Sequence, residues 1–262
     1  MPRRKPKPTD KAAAKCAPSV NAAQAAPTLV WLKAGYHFHS FAYRDPRSAF
    51  SSATGLPVIS PTTVLLGIAS TLFSLGRDSE AKAFIGETHR CKVAVDAPDG
   101  VIFFRAFHQL RRYETDKYRK TKGPNPRIGL TDINQGTREY GLVAGEMTVY
   151  VGVPSDLSEC AAVALRNRDH LGTHDSLCSL MDDVMPCVPP TDVVYRALDG
   201  EEVDLASASP VTVVTLSRFK RAITPTVGEH WWMAGGDDTE LVPYLIKGSF
   251  RGTTRGKIYT KS

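Results

Sequence analysis

Residues 51–73, SSATGLPVISPTTVLLGIASTLF, run a polar loop punctuated by Gly and Pro straight into a helix. Ser60 suits the N-cap, and Pro61 suits the first helical position, where its missing N–H would have no partner in any case. Thr62 and Thr63 place hydroxyls beside the unpaired N–H groups of the first turn, an arrangement able to hold a phosphate. Val64, Leu65, Ile68, Leu72 and Phe73 follow at helical spacing, so the helix must bury one face on something large. Taken alone, these residues favour the plainer reading of a capped core helix.

The rest of the chain supplies the partner for that face. Residues 1–27 are rich in Pro, Ala and Lys and poor in large apolar residues, so they are expected to be a disordered basic tail. Residues 28–43, TLVWLKAGYHFHSFAY, are rich in β-branched and aromatic residues and predict a long first strand. Strands are predicted at 92–95 and 101–110, joined by DAPDG as a hairpin turn. Residues 111–137 are too polar for core and too long for an ordinary loop, which points to a functional insert. Strand character returns at 142–153, and a helix follows from residue 155 or 156, with Asp156 and Glu159 at capping-box spacing. Residues 186–210 are Pro-rich and irregular. Further strands are predicted at 211–216, 244–246 and 257–259.

This order, β-α-β-β-(insert)-β-α and then more β, predicts an α+β fold. One domain over 28–262, of the RNA-recognition-motif or ferredoxin-like kind, would carry a long basic β-hairpin insert at 111–137 and a β-rich C-terminal extension.

Charge is unevenly spread over the 262 residues, whose formal net charge is +6. Residues 1–15 hold six Lys or Arg against one acid, residues 105–127 hold eight against two, and residues 241–262 hold five against none. The remainder is therefore acidic by ten charges. Basic blocks on an acidic body suggest a polyanion on one side and protein neighbours on another; basic tails and a solvated loop are the plainer alternative. No run approaches about eighteen apolar residues, so no membrane span is expected, and the basic N-terminus lacks the apolar core of a secretory signal. Five scattered cysteines without a CxxC pair fit a reducing, cytoplasmic compartment.

Three constellations could carry chemistry. On the first strand, Tyr36, Phe38 and Ser40 alternate with His37, His39 and Phe41, and rings on a sheet face can stack bases. His37 and His39, with His108, Tyr43 or Lys117, could instead serve acid–base cleavage of RNA, although a strand histidine is more often structural. His170, His174 and Cys178 would share one face of a helix as metal ligands, with Cys187 a possible fourth, but Gly172 interrupts that helix. No metal or cofactor is expected. In the insert, Arg111, Arg112, Lys117, Arg119, Lys120, Lys122 and Arg127 interleave with Tyr113 and Tyr118, giving cations for phosphates and rings for bases. Gly248, Gly252 and Gly256 among Arg251, Arg255 and Lys257 form a second element able to bring N–H groups close to phosphates.

Four segments resemble the fifth CRISPR-associated protein family of the RAMP superfamily. Residues 41–52 (FAYRDPRSAFSS) resemble its first strand and following polar loop, and residues 56–73 (LPVISPTTVLLGIASTLF) resemble its proline–threonine helix start. Residues 138–154 (REYGLVAGEMTVYVGVP) resemble the strand returning from its thumb hairpin, and residues 170–179 (HLGTHDSLCS) its short "LG" segment. The resemblance implies a non-catalytic subunit of the Cascade effector complex that holds the 5′ handle of the CRISPR RNA. It implies a thumb that kinks the guide and contacts a backbone subunit, with the large subunit and target DNA nearby, in antiviral defence. The RNA contacts it implies are Arg44, Arg47, Thr62, Thr63, Arg105 and the basic residues that follow through Arg127; Arg251 joins them from the glycine-rich element. One branch of the family cleaves its precursor RNA with a Tyr, a Lys and a His, so an endoribonuclease is one alternative. A general RNA-binding module outside CRISPR is another.

Overall fold

A computed structural model describes residues 29–47, 52–113, 130–190, 196–197, 210–223, 238–254 and 256–262; for strand residues 52–53, 108–113, 130–136 and 196–197 it describes the backbone alone. The expected tail at 1–27 lies outside these residues, as does most of the insert.

The first sheet has the strand order β3 (Lys92–Asp96), β6 (Met147–Pro154), β1 (Leu29–Phe38), then β7 (Cys178–Leu180) and β8 (Met185–Cys187), both paired to the same edge of β1. Every pairing is antiparallel. With α1 (Pro61–Ser74) after β1 and α3 (Ser158–Arg166) after β6, this is the ferredoxin-like arrangement, its fourth strand split in two. Alternate residues of β1 (Leu32, Ala34, Tyr36 and Phe38) are buried, and Val149, Val151 and Val153 of β6 share their face. Val64, Leu65, Ile68 and Leu72 of α1 are fully or almost fully buried in the same core, each contributing about 1.5–3 kcal/mol. A second helix, α2 (Asp78–Glu87), packs Ala81, Phe84 and Ile85 beside α1.

The expected DAPDG hairpin is corrected. β3 pairs with β6, whereas β4 (Gly100–Tyr113) pairs with β5 (Leu130–Ala144). Asp96 faces Thr148 and Gly100 faces Ala144, so both strands leave the first sheet together and re-enter a second as one ribbon. Gly145, at φ +80°, makes the bend between β5 and β6 in what the sequence reads as a single strand over 142–153.

The second sheet runs β12 (Ser249–Gly252), β13 (Gly256–Thr260), β4, β5, β2 (Ser52–Ala53), with β2 parallel to β5. The C-terminal strands thus brace the root of the ribbon. Beyond Phe107 and Thr137, β4 and β5 pair only with each other among the described residues. A third sheet, β10 (Val211–Phe219), β11 (Thr239–Lys247) and β9 (Arg196–Ala197), packs through β10 onto α1.

Residues 155–157 form a 3-10 turn, and α3 begins at Ser158 without a side-chain cap, so the Asp156–Glu159 capping box does not form. Arg168, just beyond α3, is buried against α1, donating to the Gly67 carbonyl and to Thr71 Oγ1 at 2.8 Å. A Cβ at position 67 would overlap its guanidinium, which explains a glycine inside that helix. Burial pulls the Arg168 pKa below the usual guanidinium range.

Candidate nucleic-acid interface

The site is built where the ribbon leaves the globule. Along β4, Val101 and Phe103 point into the core and Arg105 and Phe107 continue the same face outward. The core ends at Phe103, so the Arg105 side chain is 68% exposed and Phe107 67%. An aromatic ring this open, next to a guanidinium, is a recognisable nucleic-acid contact pair. Phe107 is absent from the residues the sequence singles out; its signal is the two-residue spacing that carries an apolar face past the end of the core.

Glu139 of β5, directly opposite Arg105, ties this face to the loop after β1. Its carboxylate accepts the Gly55 N–H at 2.8 Å and pairs with Lys257 Nζ at 3.1 Å and Arg105 Nε at 3.4 Å. Burial acts to raise this carboxyl, but the Gly55 and Lys257 hydrogen bonds and the charge of Lys257 hold it below the usual carboxylate range. Lys257 also donates to the Gly55 carbonyl at 2.7 Å and lies over the Phe103 and Phe250 rings. Gly55 is bare for a reason: a Cβ there would stand 2.6 Å from the Phe103 ring.

Arg44 bridges to Gly55 through its backbone, and Arg47 grips Asp45 through its Nη2 at 3.0 Å and its backbone N–H at 2.8 Å. Burial acts to raise Asp45, but Arg47, by hydrogen bonds and charge, together with Lys257 brings it below its ordinary value. The chain Arg47–Asp45–Lys257–Glu139–Arg105 is thus one electrostatic unit with an excess of cations, and Arg44, Arg47 and Arg105 belong to the same corner.

The start of α1 is more enclosed than its sequence suggests. Ser60 is the N-cap residue with extended backbone, but its hydroxyl makes no cap bond. It accepts instead from the Tyr43 hydroxyl at 2.6 Å and from the Ser217 N–H at 3.1 Å. Thr62 is buried with its hydroxyl bonded to Ser217, and half-buried Thr63 shares its hydroxyl with Tyr43 at 3.2 Å. The 170–179 segment closes over this point: Gly172, at φ +98°, approaches the Tyr43 ring, and Thr173 and Ser176 donate to the Ala42 carbonyl.

Arg251 lies on the other side of the second sheet. Its register partner Ile258 faces Ile102, whereas Arg105 and Phe107 point to the opposite face, so the structure does not bring Arg251 to this corner. Gly248 and Gly256 serve the sheet itself: Gly248 turns at φ +120°, and a Cβ at Gly256 would overlap the Phe103 carbonyl. Arg111 and Arg112 stand on β4 with only their backbone described, and Lys117, Arg119, Lys120, Lys122 and Arg127 lie outside the described residues.

Tyr36 and Phe38 are buried toward the helices and cannot stack bases; the sheet face open to a ligand is the other one. There His37 and His39 sit with ring centroids 5.3 Å apart, and His39 Nε2 shares a 2.5 Å hydrogen bond with Ser179. His108 belongs to β4, in the second sheet. No helix aligns His170, His174 and Cys178, as the Gly172 interruption implied: bends and a turn run over 171–175, His170 pairs with Asp169 at 2.6 Å, and Cys178 is buried in β7. Among the described residues no group of three potential ligands could hold a metal ion, and no helix is long and apolar enough to cross a membrane.

No protein-family model and no curated protein matches this chain. Among solved structures it is similar to a CRISPR protein from Archaeoglobus fulgidus, at 10% identity and a TM-score of 0.39, covering 89% of this chain and 92% of the other. It is also similar to a chain of a CRISPR RNA-guided surveillance complex, at 14% identity and a TM-score of 0.35, covering 88% of this chain and 90% of that one.

Proposed function

We propose that this chain is a non-catalytic RNA-binding subunit of a CRISPR effector complex, holding the 5′ handle of the guide and contacting a neighbouring backbone subunit through the ribbon. The ribbon takes the part of the thumb, and the sequence that joins its two strands carries Lys117, Arg119, Lys120, Lys122 and Arg127. The observation that carries this reading is the emergence of Arg105 and Phe107, side by side and open, at the root of a ribbon whose sequence becomes strongly basic toward its tip. The four segments that resemble the family also meet at one place. Phe41 pairs with Gly141, Tyr43 bonds Ser60 and Thr63, Gly172 rests on Tyr43, and Arg138 pairs with Asp175 at 2.8 Å. In guide-directed systems base pairing reads the target while protein holds backbone and shape, which suits cations and rings without a dense base-reading code. The non-catalytic reading is supported by Tyr43, whose hydroxyl is engaged by Ser60 and Thr63, and by His39, held by Ser179.

The test is binding of CRISPR-repeat RNA by fluorescence anisotropy across a salt series. Changing Arg111, Arg112, Lys117, Arg119, Lys120 and Lys122 together to Ala should weaken binding and flatten the salt slope by up to about 0.7 for each phosphate that is no longer neutralised. An unchanged slope would refute the assignment of the ribbon to RNA. Repeat RNA incubated with the chain and a chelator should remain intact. One discrete product, lost in a His37→Ala or His39→Ala variant, would overturn the non-catalytic reading in favour of the endoribonuclease.

A further inference from the structure

We infer that the face of the first sheet turned away from α1 and α3 is a second binding surface, for an extended single-stranded nucleic acid. This surface is separate from the ribbon corner and goes beyond the handle-binding reading. β1 sends Leu32, Ala34, Tyr36 and Phe38 to the helices and therefore Trp31, Lys33 and His37 to the opposite face. His39, just past the end of β1, holds its ring 5.3 Å from that of His37. The register gives that face an ordered pattern. In one row Trp31 faces Gly152, which faces Lys92; in the next Lys33 faces Tyr150, which faces Ala94. Each row thus holds one ring and one cation, and His37 adds a further ring along β1, with His39 just beyond the strand's end.

Gly152 explains how the indole is presented. A Cβ there would stand 2.8 Å from the Trp31 ring, so the ring passes over bare backbone, and the side chain stays partly exposed. A partly exposed ring on a sheet face is what a base stacks on. Same-face residues along a strand are about 7 Å apart, close to the spacing of bases in an extended strand, so ring and cation recur at the period of base and phosphate. Lys33 and Lys92 are both exposed. The acids of the face lie one row further on: Asp96 is paired with Lys261 at 2.8 Å, and Glu146 reaches over Gly35 and accepts from Thr148 at 3.2 Å. An apolar protein partner laid on these rows would cover both lysines without a counter-charge, whereas a phosphodiester strand supplies one at each row.

Trp31 also provides the readout, because the other tryptophans, Trp231 and Trp232, can be changed to Phe. In that background, titration with oligouridylate and, separately, oligothymidylate should quench Trp31 emission saturably; the two titrations show whether RNA or DNA is preferred. Tyr150→Ala and Lys33→Ala should each weaken this binding at least fivefold with the circular dichroism unchanged, while Arg105→Ala with Phe107→Ala leaves it in place. Absence of quenching by either oligomer, or quenching indifferent to both Tyr150→Ala and Lys33→Ala, would overturn the proposal without touching the ribbon assignment. Loss of quenching only on changing Arg105 and Phe107 would overturn it equally, assigning all binding to the ribbon corner. The unaltered chain offers a second measurement: photocrosslinking of a 4-thiouridine oligomer should map to residues 29–38 or 147–154, and crosslinks confined to other segments would refute it.

Discussion

Replacing Glu139 with alanine should loosen the corner that joins ribbon, loop and C-terminal strands. The Glu139 side chain is 5% exposed and its main cationic partner Lys257 23%, so this is a largely buried pair at 3.1 Å. Removing one member of such a pair costs about 3–5 kcal/mol, chiefly by stranding the other. Lys257 keeps the Gly55 carbonyl at 2.7 Å, which places the loss near the lower end, about 3 kcal/mol, or roughly 6–12 °C in Tm for a chain of this size. Glu139→Gln retains an acceptor for the Gly55 N–H and should lose about half as much. Acid adds a signature that packing defects lack. A carboxyl whose pKa is lowered on folding adds stability above its unfolded pKa, and that stability is withdrawn as pH falls through the folded value. Here the folded value is lowered, so the gap between wild type and Glu139→Gln should be full at pH 7 and shrink below about pH 4. Thermal melts of the three proteins at pH 7 and pH 3 test this. A loss under about 2 °C for Glu139→Ala, or a gap to Glu139→Gln that does not change with pH, would refute the reasoning.

Three further outcomes follow from other sites. Gly67→Ala sets a methyl against the buried Arg168 guanidinium and should destabilise by roughly 1–3 kcal/mol in a urea titration; a neutral result would mean that Arg168 can leave its place beside α1. Tyr43→Phe deletes the hydroxyl that serves Ser60 on two atoms and should destabilise by about 1–3 kcal/mol, with α1 retained in the circular dichroism spectrum. Burial pushes the thiols of Cys91 and Cys178 up to about 12, so at pH 8 iodoacetamide should modify both far more slowly in the native chain than in urea; equal rates by mass spectrometry would contradict their enclosure.

Local chemistry made some elements readable in advance and left others unreadable. Pro61 after Ser60, followed by apolar residues at helical spacing, announces α1, and its observed bounds fall where those residues place them. Three of the four ferredoxin-like strands were also legible, because β1, β3 and β6 are runs rich in β-branched or aromatic residues. The fourth was not, because its two pieces, CSL and MPC, are too short and too poor in such residues, and the second falls at the start of the stretch read as irregular. Pairing was not legible either. DAPDG has the composition of a hairpin turn, but whether the strands beside it pair is decided by the far longer ribbon that follows, a tertiary matter that no five residues express. Gly145 reads as an ordinary strand glycine, since nothing local distinguishes a bulge from the bend between two sheets. The short α2 offers only Ala81, Phe84 and Ile85 as an apolar face, too few to declare a period. At the site, Arg44, Arg47 and Arg105 were visible as charges. Glu139 and Lys257, which organise them, lie 84 and 202 residues from the Gly55 backbone atoms they bind; Glu139 carries no motif, and Lys257 reads only as a cation of the glycine-rich element. Alternation on β1 showed that two faces exist, but burial alone told which of them is open.

The self-paired outer part of the ribbon makes its length a free variable. No other described strand holds β4 beyond Phe107 or β5 beyond Thr137, so residues added there in both strands leave the packing of the globule as it was. Two residues per strand extend the reach by about 7 Å and preserve which side chains face inward, whereas one residue per strand reverses the faces of everything beyond it. On the function proposed above, each such step matches about one extended nucleotide, so a chain built on this plan can be re-sized without being refolded.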